Sequence, residues 1–416
     1  MYIMNYFALP VESNNNFNLN DLQLNFNEED KNVFISKTLH QYLNNLKKEI
    51  DKCISDWDNF KKYTNVYEFI HTTIPNVKYS ISKLKPVSRS FYKMIEICNI
   101  FNLLEKHKLT SLESFHIAEG PGGFIDALCY LRSNDDDRYY GMTLINNDPN
   151  VPGWKKNRNL LQNKKIILEY GKDNTGNILN KENLEYCYEK YNNKFDLVTA
   201  DGGFDFSCDF NLQENMASNL IFAEVCFAIA TQKINGCFIL KIFDIFSKIT
   251  VDILRFLSFF YEKIYVIKPF SSRLANSEKY VICLNFKKVN NFDKIINKII
   301  ENYSLLNDNM LTSFLKDNET LYFMNKVEEI NAILGQQQME NISQTLSLIH
   351  KKHNNNSVKF DQLKNQNLQK CIQWCMKNNI PHNNIEENTI SENFFLRKNV
   401  FNNLNDEKKN ELELES

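Results

Sequence analysis

Two glycine turns and four charged side chains carry the chemistry available to this sequence. The first turn, Glu119-Gly-Pro-Gly-Gly-Phe124, follows the apolar run Ser114–Ala118. Gly120, Pro121, Gly122 and Gly123 would let a ligand lie against bare backbone, with N–H groups and a helix N-terminus facing it. The spacing is tighter than the GxGxxG of dinucleotide sites, which argues against a nicotinamide oxidoreductase. The second turn, Asp201-Gly-Gly203, follows the run Phe195–Ala200. In open α/β sheets ligands bind outside the carboxyl ends of strands, so Asp201 is expected in the same crevice; taken alone it would be a turn former. Lys241 interrupts the apolar run Cys237–Phe243. An ammonium there needs a partner or an open strand end. It either snorkels or, near other charges, becomes a base of lowered pKa. Glu278 opens the last apolar run, within reach of the Lys241 side. Lys93 falls early in an upstream helix.

Lys78, Lys83, Lys85, Arg89 and Lys93 run without an intervening acid, interleaved with Tyr79, Phe91 and Tyr92. Such a strip is either a solvated helix face or a track for a nucleic-acid backbone with base stacking.

The elements that must position these groups alternate. Strands are expected at Ser114–Ala118, Tyr139–Ile145, Lys165–Tyr170, Phe195–Ala200, Gly236–Phe243, Lys263–Pro269 and Lys279–Phe286, with helices at Phe124–Leu131, Asn211–Lys233 and Ile249–Phe260. That pattern predicts a Rossmann-like α/β sheet of about seven strands with helices on both faces. The last two strands are joined only by Phe270–Glu278, too short for a crossover helix, so the last strand is expected to be antiparallel. Ten of the 11 glycines lie between Gly120 and Gly236, which marks the segment with special loops. Flanking regions read as mainly helical extensions: 1–70 with a helix near Lys37–Phe60, and 290–404 with helices at Phe292–Tyr303, Glu319–Leu334 and Gln362–Asn378. The core domain is placed at 71–289 and a polar tail at 405–416.

Composition sets the outer bounds. The 416 residues are 43% hydrophobic and 13% aromatic, which excludes a disordered chain, a collagen-like fibre and a small disulfide scaffold. A net charge of -2 offers no global field for nucleic acid, so any polyanion site is a local patch. No apolar run reaches the ~18 residues of a membrane span, and the N-terminus lacks a signal-peptide pattern. Scattered cysteines suit reduced thiols, and Cys371 and Cys375 have no second pair to complete a metal site. The expectation is an intracellular, cytoplasmic protein without membrane, DNA or metal; the nucleus or a virion stays open as its location.

Six blocks in order carry a family resemblance: SRSFYKMIEI (88–97), AEGPGGF (118–124), YGMTL (140–144), ADGGF (200–204), LKIFDIF (240–246) and KPFSSRLANSEKYVIC (268–283). Together they resemble the FtsJ-like (RrmJ-type) 2′-O-ribose RNA methyltransferases, and within them the cap-specific mRNA group with an Adrift-type domain. The resemblance implies a Lys-Asp-Lys-Glu tetrad at Lys93, Asp201, Lys241 and Glu278. It implies S-adenosylmethionine contacts at Gly120, Pro121, Gly122, Gly123, Leu144, Asp173, Asn174 and Asp201. RNA contacts are then expected at Lys83, Lys85, Arg89, Tyr92, Phe246 and Arg273, with Phe243, Phe246 and Tyr92 as candidate stacking rings for a methylated guanine. Capped mRNA is the favoured substrate and other capping or transcription components are candidate partners. Methylation of ribosomal or transfer RNA, or a non-catalytic RNA-binding scaffold, are the alternatives. Two positions depart from the family pattern: Glu119 stands where a small residue is common, and Asn177 follows Gly176 where many relatives have Asp.

Overall fold

The structure is a computed structural model, which describes residues 6–12, 17–26, 33–146, 153–154, 158–203, 213–351 and 357–384. Strands β1 (Tyr6–Leu9) and β2 (Leu22–Asn25) precede helices α1 (Lys37–Asp51) and α2 (Ile54–Thr64). Helix α3 (Ser90–Phe101) leads into the alternating core. Its first half holds β3 (Glu113–Ile117), α4 (Gly123–Leu131), β4 (Arg138–Met142), α5 (Arg158–Leu161), β5 (Ile166–Glu169) and α6 (Lys181–Tyr191). Its second half holds β6 (Phe195–Ala200), α7 (Gln213–Met216), α8 (Ser218–Thr231), β7 (Gln232–Ile242), α9 (Lys248–Phe260), β8 (Tyr261–Ile267) and β9 (Lys279–Phe286). Then follow α10 (Phe292–Asn302), β10 (Ser313–Leu315), α11 (Leu321–His350) and α12 (Ser357–Lys377).

The sheet has eight strands in the order β1-β8-β9-β7-β6-β3-β4-β5. The seven expected strands are all present, and β9 runs antiparallel to both β7 and β8. The eighth, β1, pairs antiparallel with β8 along Tyr6↔Ile267 to Leu9↔Ile264. The N-terminal region, expected to be helical, therefore also supplies an edge strand. Four residues are too few to show a period of two. Strand order reverses between β3 and β6. Crossovers through α6, α8 and α9 run one way along the sheet and that through α4 runs the other, so the right-handed rule puts α4 on the opposite face. Side-chain packing agrees: α8 meets α6, α9 and α10, whereas α4 meets α3.

Every residue of α8 except Asn219 is buried, so this helix has no solvent face. Each fully buried Leu, Ile or Phe there contributes about 1.5–3 kcal/mol. A buried ionic knot ties the C-terminal segment to α9. Lys248 bonds Asp252 and, at 2.6 Å, Glu319, while Asp252 accepts the N–H groups of Phe314 (2.8 Å) and Leu315 (3.1 Å). Strand β10 in turn pairs with β2.

The chain divides into two compact units. The larger contains 1–61 and 86–350, so both flanks contribute to it; the smaller contains 62–85 and 351–416. In the smaller unit α12 packs on the turn Glu68–Ile70, the Lys83 N–H donates to Pro381 O (2.9 Å), and Asn367 donates to Tyr63 O (2.9 Å). Asparagine also has a structural use in this glycine-poor chain. Asn76, Asn102, Asn174, Asn193, Asn235, Asn285, Asn291 and Asn379 all hold positive φ. Asparagine tolerates this region better than most residues, because its short amide bonds locally.

Candidate active site

The reversal between β3 and β6 makes the crevice at their carboxyl ends the natural ligand site of an open sheet. Both glycine turns lie there. Lys241 is next to the last residue of β7, and its register partner is Tyr280, the second residue of β9. Because β9 is antiparallel, its start lies beside the end of β7, which brings Glu278 to the same edge. Helix α3 packs on α4 and delivers Lys93 from its first turn.

The four expected side chains meet as two interlocked ion pairs. Lys93 Nζ lies 2.7 and 2.8 Å from the two Glu278 oxygens. Lys241 Nζ donates to the Asp201 carbonyl at 2.7 Å and lies 3.3 Å from its carboxylate. Tyr280 joins the pairs: its hydroxyl donates to Asp201 Oδ1 at 2.9 Å and lies 3.4 Å from Lys93 Nζ. The four side chains are 11–16% exposed, enough to strip most water and leave one face open. Sequence reading assigned Tyr280 no role; its signal was the alternation that puts residues 278 and 280 on the same side of the sheet.

Supporting residues fix this arrangement. Ser272 Oγ donates to Glu278 Oε1 (2.8 Å), and Lys268 Nζ donates to the carbonyls of Asn276 (2.5 Å) and Glu278 (2.6 Å). Glu96 accepts the N–H groups of Phe270 (2.7 Å) and Ser271 (3.0 Å), pinning this loop to α3. Burial would raise the Glu278 pKa, but the Lys93 ammonium, then Lys241 and Lys268, outweigh it and hold the carboxyl at about 2. Burial, aided by Lys279 and Lys93, pushes Lys268 down to about 7 against the opposing pull of Glu278.

For Lys241 the structure reverses the expected sign. Burial alone would lower its pKa, but Asp201, Glu278 and Glu224 together outweigh burial and raise it. The reading of Lys241 as a base of lowered pKa is therefore corrected. In the free protein it is an ammonium held by acids.

The first glycine turn is more internally bonded than expected. The N–H groups of Gly120, Gly122 and Phe124 bond Thr143 Oγ1 (3.3 Å), Glu119 O (2.6 Å) and Glu119 Oε1, and Pro121 has none. A Cβ on Gly122, at φ 97°, would come within 2.6 Å of Leu160 and 2.9 Å of Trp154. On Gly123 it would stand 2.1 Å from Ser90 Oγ. These two glycines thus admit neighbouring side chains as well as exposing backbone. Glu119 is buried, and burial raises its pKa against the partial offset of His116, whose Nδ1 is 3.1 Å away. His116 is also hydrogen-bonded to Thr199 (2.7 Å), linking the ends of β3 and β6. Phe124, just after the turn, packs its ring 6.0 Å from that of Tyr280.

Leu144 and its neighbour Ile145 are 43% and 48% exposed at the end of β4, open apolar surface beside the turn. Asp173 accepts bonds from Thr175 (2.9 and 2.8 Å), Asn180 (2.6 Å) and Asn183 (2.9 Å), and these hold its pKa down despite burial. These bonds knot its own loop together. Asn174 beside it holds φ 60°.

Two expected RNA contacts are corrected. Tyr92 is 1% exposed and packs on Phe91, and Phe246 is 4% exposed and packs edge-on against His40, so neither offers a stacking face. Phe243 is buried as well. Lys83 and Lys85 are exposed in the smaller unit; Arg89 and Arg273 are half-buried in the larger, where Arg89 Nε donates to Ser271 O (2.9 Å). Phe204 lies outside the described residues.

A doubly wound α/β protein with a glycine turn and a paired-charge floor at its switch point is the class this geometry defines. Residues 86–286 match the FtsJ-like methyltransferase family. Cap-specific mRNA (nucleoside-2'-O-)-methyltransferase 2 of Drosophila melanogaster is 31% identical over 224 residues, covering 50% of this chain and 32% of the relative. The enzyme named cap-specific mRNA (nucleoside-2'-O-)-methyltransferase 1 of Trypanosoma cruzi is 35% identical over 176 residues, covering 41% and 47%. A methyltransferase 2 of Pongo abelii aligns over 363 residues at 28% identity, covering 83% and 45%. The chain thus spans about a third to a half of the length of these relatives.

Proposed function

We propose that this protein transfers a methyl group from S-adenosylmethionine to a ribose 2′-hydroxyl of RNA, at the first nucleotides after an mRNA cap. The observation that carries the reading is the convergence of Lys93, Asp201, Lys241 and Glu278 beside the glycine turn. The relatives, all named as cap-specific 2'-O-methyltransferases, support the substrate class.

The crevice fits the cofactor. The turn at 120–123 gives backbone room for its amino-acid end, and exposed Leu144 and Ile145 give apolar surface for its adenine. When bound, S-adenosylmethionine supplies a methyl group on a sulfonium. The chain's own task is to align and activate the hydroxyl. Lys241 Nζ, aimed by Asp201, is the group to hold the ribose oxygen and, in its neutral form after giving one proton to solvent, to take the hydroxyl proton. Lys93, fixed by Glu278 and Tyr280, holds the hydroxyl or the adjacent phosphate. Half-buried Arg89 and Arg273 supply cations for the RNA backbone.

Labelled S-adenosylmethionine with matched capped and uncapped short RNAs, followed by nuclease digestion and mass spectrometry, tests the reading. Methyl on the 2′-oxygen of a cap-proximal nucleotide is expected, and Lys241→Ala should abolish transfer while leaving cofactor binding by calorimetry within about threefold. Label on a base, or equal loss of binding and transfer in the variant, would overturn it.

A further inference from the structure

Behind the Asp201 turn lies a carboxyl that the tetrad does not account for. Glu224, in the middle of α8, is 0% exposed. Its Oε1 accepts the Gly202 N–H at 2.9 Å, while its Oε2 is buried with no hydrogen-bond partner among the described residues. The fit is close: a Cβ on Gly202 would stand 2.2 Å from Glu224 Oε1 and 3.0 Å from the Ala118 side chain. Glu224 therefore sits under Gly202, which itself lies close to Ala118, the residue before the first turn. Ala118 itself is held at φ 52°, so the junction is tightly constrained from both sides.

We propose that Glu224 is a positioning residue for methyl transfer, locking the Asp201–Gly203 turn from behind and standing as a further acid facing the Lys241 ammonium. The inference rests on the 2′-O-methyltransferase reading and adds to it. Geometry makes the case: an apolar helix core would not hold a carboxyl unless its bond to Gly202 were worth the burial. Charge supports it. The charged groups that act on Glu224 are Lys241 from β7 and Asp201 from the turn, and burial with Asp201 outweighs Lys241 to push the carboxyl up to about 8. Near neutrality it is thus a protonated acid, whose hydrogen-bonding shape matters more than its charge; above that it becomes an anion that strengthens the hold on the Lys241 proton.

Three variants of the full chain separate these roles. Glu224→Gln keeps an acceptor for Gly202 and cannot ionise; Glu224→Leu removes the acceptor; Gly202→Ala displaces the carboxyl. At pH 7.5 Glu224→Gln should keep kcat within about threefold, whereas Glu224→Leu and Gly202→Ala should lose roughly 30-fold in kcat with the KM for cofactor within twofold, the scale expected when a buried N–H is left unpaired. In parallel, NMR of lysine labelled at Cε and Nζ, with the Lys241 signal assigned by its loss in Lys241→Met, reads the proton affinity of Lys241 directly. Glu224→Gln should lower it about tenfold, as expected on removing a nearby carboxylate. Equal kcat in all proteins, a Gln variant as impaired as the Leu variant, or an unmoved Lys241 titration would each overturn the inference. Should the wild-type protein methylate no RNA, the functional reading fails, and the titration still decides the role of Glu224. Should the Leu variant not fold, the Gln variant and the titration carry the test.

Discussion

Replacing Tyr280 by Phe removes one oxygen atom from the centre of the site and nothing else. That oxygen donates to Asp201 Oδ1 at 2.9 Å and lies 3.4 Å from Lys93 Nζ. A hydrogen bond to a charged acceptor contributes about 1.5–3 kcal/mol, which at ~1.4 kcal/mol per decade would be roughly 10- to 150-fold. Three contacts limit the damage. Asp201 keeps the Lys241 ammonium at 3.3 Å, Lys93 keeps Glu278 at 2.7 Å, and the Phe ring still lies under Lys93, whose Nζ is 5.7 Å from the ring centroid. The lower part of the range is therefore expected: kcat down about 10- to 30-fold, with the KM for S-adenosylmethionine within twofold. Single-turnover methyl transfer to capped RNA reads the first quantity and calorimetry checks the second. Tyr280→Leu, which also removes the ring, should be worse in both rate and melting temperature. A Phe variant within twofold of wild type, or one that loses cofactor affinity in step with rate, would refute the idea that this hydroxyl couples the two pairs.

Glu278 should also appear in the acid limb of stability. Its pKa falls from 4.5 to about 2 on folding, so its contribution is fully present above pH 4.5 and is lost as pH falls through 2. At ~1.36 kcal/mol per pH unit this is about 3 kcal/mol. Glu278→Gln should thus be less stable than wild type by roughly that amount at pH 7 and converge with it near pH 2, measured by denaturant midpoints across that range. Gly123→Ala tests packing instead of charge. The added methyl would sit 2.1 Å from Ser90 Oγ and 2.2 Å from Ser88 Oγ, and overpacking of this kind costs about 1–3 kcal/mol. Removing both hydroxyls with Ser88→Ala and Ser90→Ala should restore part of the loss, read as thermal midpoints of the triple variant against Gly123→Ala.

The sheet was legible because long apolar runs alternate with helix-length segments, and the antiparallel β9 followed from the short link before it. That one inference also placed Glu278 beside Lys241. What stayed hidden depends on partners remote in sequence. Strand β1 is defined by β8, not by its own four residues. A helix was expected over Glu319–Leu334, yet α11 continues to His350. A Cβ on Gly335 would stand 2.9 Å from Leu39, so this glycine lets α1 approach instead of ending a helix. Tyr92 and Phe246 failed as RNA contacts for a related reason: an aromatic beside basic residues looks the same in sequence whether its ring faces solvent or the core. Asp173 was named only through the family resemblance, and its bonds to Asn180 and Asn183 depend on the start of α6, which the sequence alone does not bring to this loop.

The charge balance of the site explains why Lys241 departs from the sequence expectation. Lys93 and Lys241 are matched by Glu278 and Asp201, so the inner floor is neutral. The two titratable groups just outside it are both driven toward their uncharged forms, Lys268 to about 7 and Glu224 to about 8. Near neutrality the surroundings therefore bring little net charge to oppose the ammonium, and Asp201 and Glu278 act on it, joined by Glu224 once that acid ionises. A neutral floor of this kind holds its protons until an outside charge disturbs it. A cation arriving beside Lys241 would lower its proton affinity, since like charges disfavour one another in a low-dielectric site. The geometry thus favours a lysine that stays protonated while the crevice is empty and becomes able to accept the ribose proton only when positive charge is brought alongside.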